Sequence, residues 1–160
     1  MNISQFDNVL EPAFCRTLIE DSSGKMSPAT VGEGSKKHVS PGRTAHSYEF
    51  ETPRWLDDRT KVLSARLASY AERLTSMPSQ IVMYSPGCKF VRHRDANKKR
   101  FTAIYFLNEG YAGGLLKFDS GLQYPARTGS AVIWENTEDS YHEVTEVTEG
   151  SRYILAAWLI

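Results

Sequence analysis

The chain has 160 residues, 41% hydrophobic and 24% charged, and its 19 basic residues balance 19 acidic ones. A chain of this size buries roughly two-thirds of its unfolded surface, which excludes any need for a disulfide or metal merely to fold. Zero net charge excludes bulk attraction to nucleic acid or membrane, so neither is expected as a partner.

Cys15 and Cys88 lie 73 residues apart and form no C-x-x-C pair, against a disulfide framework or zinc ribbon. No apolar run approaches the ~18 residues of a membrane span, and Met1–Gln5 lacks the features of a signal peptide. The expectation is a cytoplasmic protein of one domain over 1–160, with helical support and a loop in 1–80 and core strands in 81–160.

In chain order, Pro12 to Asp21 places Phe14, Leu18 and Ile19 at helical spacing, and Ser22-Ser23-Gly24 ends that helix. Gly24 to Gly42 holds four glycines and two prolines, the composition of a long surface loop and a candidate lid. From Arg54 to Leu74 the residues Trp55, Leu63, Leu67, Tyr70 and Leu74 recur near a 3.6-residue period, the best helical pattern in the chain. After Pro78 the texture changes to short apolar or alternating runs: Ile81–Tyr84, Phe90–His93, Phe101–Leu107, Leu115–Phe118, Ala131–Trp134 and Tyr153–Leu159. Helices followed by six or more strands predict an α+β fold, an antiparallel sandwich or jelly roll with N-terminal helices packed on one face.

Charge is uneven despite the zero sum. Lys89 to Arg100 carries six basic residues against Asp95, whereas Ile133 to Gly150 carries six acidic residues and no base. The basic excess is a solvated face or a means of steering an anionic ligand.

His93-Arg94-Asp95 closes a predicted strand, where alternation sends His93 and Asp95 to one side. With His142, 47 residues beyond Asp95, they make up the two-histidine, one-carboxylate set that holds Fe(II) and leaves coordination positions open. Arg152 opens an apolar strand and shares a face with Ile154, Ala156 and Trp158; if that face is interior, the guanidinium needs an anionic partner, which a ligand carboxylate would supply. The His-Arg-Asp triplet also matches part of a protein kinase catalytic loop. The asparagine expected five residues after the aspartate is Arg100, however, and no glycine-rich nucleotide loop precedes it.

The ordered set Tyr84-Ser85-Pro86-Gly87, Phe90 to Asp95, Ile104 to Asn108, Gly113 to Leu116, Ile133-Trp134, His142-Glu143-Val144 and Arg152-Tyr153-Ile154 ending in Trp158 resembles the 2-oxoglutarate and Fe(II)-dependent dioxygenases. The likeness is to the prolyl 4-hydroxylase branch, which includes the hypoxia-sensing prolyl hydroxylases, and Arg43-Thr44 adds a short match. The resemblance implies a double-stranded β-helix with iron on His93, Asp95 and His142, and Arg152 against the distal carboxylate of 2-oxoglutarate. Trp158, Leu116 and Ile104 match positions lining the co-substrate pocket, and Tyr84 matches a tyrosine near the iron.

It also implies Fe(II), 2-oxoglutarate and O2, with ascorbate as a reductant, and hydroxylation of a prolyl residue in a peptide or protein with release of succinate and CO2. A free amino acid, another side chain, or a silent metal-binding interaction domain are the alternatives. A nucleic-acid dealkylating relative carries a second arginine six residues after the co-substrate arginine; Trp158 stands there. Phe106 stands where the hypoxia-sensing enzymes have a tyrosine that helps hold the distal carboxylate, and Thr102 is the expected substitute hydroxyl.

Overall fold

The computed structural model describes every residue except Glu33. In chain order the elements are β1 (Ile3–Phe6), α1 (Pro12–Ser22), β2 (Ser27–Pro28), β3 (Thr30–Val31), β4 (His38–Val39), β5 (His46–Phe50), α2 (Arg54–Ala65) and β6 (Ser79–Tyr84). There follow β7 (Phe90–His93), β8 (Phe101–Phe106), β9 (Ala112–Gly113), β10 (Leu116–Phe118), β11 (Gln123–Tyr124), β12 (Ala131–Glu135), β13 (His142–Val144), β14 (Val147–Glu149) and β15 (Arg152–Leu159).

Among the described residues, seven strands form one antiparallel sheet in the order β1-β12-β8-β15-β6-β5-β2, and four form a second in the order β11-β10-β13-β7. Side chains alternate strictly on the central strands. Val82, Tyr84, Phe106, Val132, Trp134, Ile154, Ala156 and Trp158 join Leu116, Phe118 and Val144 of the smaller sheet in one buried core. The intervening Ile81, Phe101, Ala103, Tyr105, Ala131, Ile133, Leu155, Ala157 and Leu159 form a second core against the helices. A strand buried on both faces reads as a continuous apolar run, as Tyr153–Leu159 does. The expected α+β arrangement, sheets with two helices against one face, is therefore present. No described helix is long and apolar enough to cross a membrane.

Pro12 occupies the first turn of α1, and Cys15, fully buried, anchors the helix more deeply than Phe14, which is exposed. α2 buries Leu56, Thr60 and Ser64 at four-residue spacing. Thr60 and Tyr105 share a buried hydroxyl pair at 2.8 Å that ties α2 to β8, and burial pushes the Tyr105 phenol up to about 12.

Two expectations need correction. The second helix does not continue to Leu74: it ends at Ala65, Ala68 is extended at φ −152° and ψ 121°, and a 3-10 turn covers Ser69–Arg73. The tighter turn keeps a similar spacing, so Leu67, Tyr70 and Leu74 still pack on the helix-side core and preserve the period in sequence. The stretch 24–42, read as loop, contains β2, β3, β4 and a short 3-10 turn apart from Glu33. Two-residue strands carry too few side chains to show alternation.

Leu155 is fully buried between the large sheet and the helices, whereas Val62 on α2 is 61% exposed. Leu155→Ala should therefore cost about 2–5 kcal/mol in urea unfolding and Val62→Ala less than about 0.5 kcal/mol.

Candidate metal centre

β7 and β13 are antiparallel neighbours, and their register places His142 directly opposite His93. Cross-strand partners share a face, so the two imidazoles converge with ring centroids 4.3 Å apart. β7 stops at His93, and two residues later Asp95 returns to the same side, its Oδ1 3.8 Å from His93 Nε2. One ligand atom from each of His93, Asp95 and His142 lies within 4.8 Å of the others, an arrangement able to hold one metal ion.

Both imidazoles are oriented by carbonyls two residues back. His93 Nδ1 lies 2.7 Å from the Val91 carbonyl and His142 Nδ1 2.8 Å from that of Ser140. A carbonyl only accepts, so each Nδ1 donates and each Nε2 presents its lone pair inward. Phe90 stacks on His93 at 3.6 Å, and Trp134 and Phe118 flank His142 at 4.9 and 5.4 Å. Burial, reinforced by His142, lowers the His93 pKa to about 4 against the opposing pull of Asp95, which keeps the ring neutral as a metal ligand requires. Burial alone would raise the Asp95 carboxyl; His142, Lys99, His93 and the Thr102 hydrogen bond outweigh it and leave the pKa below the ordinary value. The donor set is thus two imidazole nitrogens and one carboxylate oxygen.

Asp95 is itself held. Thr102 Oγ1 donates to its Oδ2 at 2.5 Å and Trp158 Nε1 at 3.2 Å. Asn136 Nδ2 donates to Thr102 at 2.8 Å, and Asn136 Oδ1 accepts from Trp134 Nε1 at 2.9 Å. Two donors occupy Oδ2, and Oδ1 is the oxygen turned towards His93.

Arg152 lies at the far end of the same interior, 1% exposed, with its guanidinium carbon 4.9 Å from the Tyr84 ring and 5.8 Å from the Phe106 ring. Among the described residues no carboxylate pairs with it, and its Nε has no hydrogen-bond partner. A buried guanidinium without an anion is costly, so an anionic ligand at this end of the cavity would stabilise it. An interior cavity of about 50 Å³ touches all three candidate ligands and Arg152, and Tyr84, Ile104, Leu116 and Trp158 line it. The cavity opens beside an outer cleft of about 430 Å³, whose walls include His93, Asp95 and Trp158 as well as Thr30, Val31 and Lys37 from the N-terminal half.

The expectation for Thr102 is corrected. Its hydroxyl is committed to Asp95 and Asn136, and it pairs in register with Trp158, whereas Phe106 pairs with Ile154 next to Arg152. Four residues separate Thr102 from Phe106 along β8, about 13 Å of strand, so Thr102 serves the metal end. Asn136 went unread in the sequence, because one amide just beyond an apolar strand carries no pattern. Arg43 spans the opening: it donates to the Thr30 carbonyl at 2.7 Å and to Gln80 Oε1 at 3.1 Å, and lies 4.9 Å over the Phe90 ring.

Fold and site together give a candidate metal site of the two-histidine, one-carboxylate kind between two antiparallel sheets. The profile of the 2OG-Fe(II) oxygenase superfamily matches residues 79–160, just over half of the chain. The chain belongs to that superfamily and is a 2-oxoglutarate-dependent dioxygenase, and the family implies Fe(II), 2-oxoglutarate and O2 as its requirements.

Among solved structures, the chain resembles the viral collagen prolyl hydroxylase of Paramecium bursaria Chlorella virus 1, in its 2-oxoglutarate complex, with a TM-score of 0.76 and 14% identity over 99% of this chain and 96% of that one. It also resembles a Pseudomonas putida prolyl-4-hydroxylase (TM-score 0.71, 20% identity, 99% and 91% covered). A Trichoplax adhaerens prolyl hydroxylase, solved with a hypoxia-inducible-factor peptide fragment, gives a TM-score of 0.69 at 18% identity, with 99% and 83% covered. No curated protein matches the sequence.

Thr102→Val, which keeps the shape and removes the donor, should weaken divalent-metal binding about 10- to 100-fold, as read by Co(II) titration in the visible spectrum. An unchanged affinity would show that the Asp95 tether is dispensable.

Proposed function

We propose that the protein hydroxylates a prolyl residue of a peptide or protein substrate, with release of succinate and CO2, on a double-stranded β-helix formed by its two facing sheets. The observation that carries this reading is one cavity with His93, Asp95 and His142 at one end and an unpaired, buried Arg152 at the other. That is the layout a metal ion and a dicarboxylate co-substrate need in order to meet.

In this reading His93 Nε2, Asp95 Oδ1 and His142 Nε2 would hold Fe(II), a three-ligand set of the kind that leaves a metal open for chemistry. When bound, the iron with 2-oxoglutarate and O2 supplies the oxidising power for C–H hydroxylation. Arg152 fixes the far carboxylate, and Tyr84, Ile104, Leu116 and Trp158 exclude water along the co-substrate. Thr102 and Trp158 keep the second carboxylate oxygen of Asp95 engaged, holding Oδ1 towards the metal. The outer cleft receives the substrate. At about 430 Å³ it is open enough for a side chain carried on a peptide, and residues of the 24–42 segment form one wall, which is the position a lid would occupy. The prolyl assignment is supported by the printed activities of the structural neighbours, one of which was solved with a peptide. We assign the enzyme to the cytoplasm, with reduced Cys15 and Cys88.

The test is anaerobic reconstitution with Fe(II), then 2-oxoglutarate, ascorbate and oxygen over a library of proline-containing peptides. The expected result is succinate well above a His142→Ala control, with a one-oxygen mass gain on proline. Hydroxylation of free amino acids and never of peptides would overturn the prolyl-peptide assignment. No succinate above the control would overturn the enzymatic reading of this site.

A further inference from the structure

The six basic residues between Lys89 and Arg100 part company in three dimensions. Arg92 is forked onto Asp119 at 2.6 to 3.1 Å, and Arg100 donates to the Tyr70 hydroxyl at 3.2 Å. Arg94, Lys98 and Lys99 instead line the outer cleft of about 430 Å³, which Lys37 and Arg43 join from the N-terminal half. Arg94 and Lys99 also line a second cleft of about 280 Å³ that runs to Asn136, Thr137 and Glu138. Asp95 is common to both, so the two clefts meet beside the candidate metal ligands.

Positive charge prevails along this path. Of its carboxylates, Glu49 already accepts from Lys37 at 3.1 Å and from Gln80 at 3.2 Å, and Asp95 is tethered by Thr102 and Trp158. Among the described residues Glu138, at the far end, is the remaining one. A cleft with an excess of one sign concentrates the opposite charge. The half-buried Arg94 guanidinium is engaged only in part: it donates to Asn97 Oδ1 at 2.9 Å and lies 5.7 Å from the Tyr141 ring. Among the described residues no carboxylate pairs with it. Arg94, Lys98 and Lys99 are all absent from the walls of the inner cavity that holds Arg152, so they face a ligand in the outer path rather than a co-substrate inside.

We propose that the substrate is an acidic peptide, laid along the two joined clefts with a carboxylate beside the hydroxylated residue forked onto Arg94. Arginine matches a carboxylate through paired N–H bonds, which gives position as well as attraction. Strand alternation turns Arg94 away from the metal end while its neighbours His93 and Asp95 face it, so the residue that Arg94 holds adjoins the one presented to the metal. The inference rests on the functional reading above and names its substrate class.

The measurement is fluorescence-anisotropy titration of the Mn(II)- and 2-oxoglutarate-loaded protein with peptides of equal length and one central proline, flanked on both sides by glutamate, glutamine or lysine. The glutamate peptide should bind about 10-fold or more tightly than the glutamine peptide at ~0.05 M salt, with the gap narrowing at ~0.5 M, where exposed charges are screened. Arg94→Gln should remove about 5-fold of that advantage, and Arg94→Glu should move the preference to the lysine peptide. Arg54→Gln, an equal loss of charge at the exposed start of α2, should change nothing. Calorimetric 2-oxoglutarate affinity should be the same in all four proteins. Binding indifferent to peptide charge, or an Arg94→Glu protein that still prefers glutamate, would overturn the inference. A loss confined to 2-oxoglutarate affinity would overturn it too, by assigning Arg94 to the co-substrate. Selective binding of the glutamate peptide with no hydroxylation after Fe(II) reconstitution would support the acidic docking surface and defeat the functional reading, whereas hydroxylation of proline peptides without acidic preference would defeat the inference alone.

Discussion

The pairing of β7 with β13 is the constraint on which the rest of the site depends. Because His142 stands opposite His93 in the ladder, the two imidazoles share a face without any long side chain having to reach. A one-residue slip would turn one of them out of the cavity. The pairing shifts register between His142 and Val144, a local irregularity of the kind that re-aims side chains beside functional sites. The backbone carbonyls of Val91 and Ser140 then fix each ring's tautomer, so secondary structure sets both position and protonation of the nitrogen donors.

The third donor is held differently. Asp95 lies beyond the end of β7, and its placement comes from side chains on the large sheet, Thr102 on β8 and Trp158 on β15, which pair in register. The centre is therefore assembled from both sheets, with histidines on the smaller and the tether of the carboxylate on the larger. Separation of the sheets would pull Asp95 from the histidines. Arg152, on the same inward face of β15 as Trp158 and six residues earlier, sets the length of the cavity along that strand, about 20 Å between the two Cα atoms.

Much of this was legible. Strict alternation on β15 identified its inward set, Arg152, Ile154, Ala156 and Trp158, and His-x-Asp named two residues that do converge. The two-residue strands and the break at Ala68 were not legible, since neither interrupts a hydrophobic period. The hydroxyls were misread for a physical reason: Thr102 and Phe106 lie on one face of β8, and sequence shows the shared face but not which end of the cavity each serves. Zero net charge hid a juxtaposition as well. The basic stretch carries β7 and the acidic one carries β13, so the two poles lie side by side, with Arg92 and Arg94 of the first over the Tyr141 ring of the second at 3.9 and 5.7 Å.

The most direct test of the account is an anomalous-scattering crystal structure of the Mn(II) and 2-oxoglutarate complex. The account predicts one metal peak bonded to His93 Nε2, His142 Nε2 and a single oxygen of Asp95, with the distal carboxylate of the same 2-oxoglutarate molecule against Arg152. A metal bound elsewhere, or a 2-oxoglutarate molecule that leaves Arg152 unpaired, would contradict it.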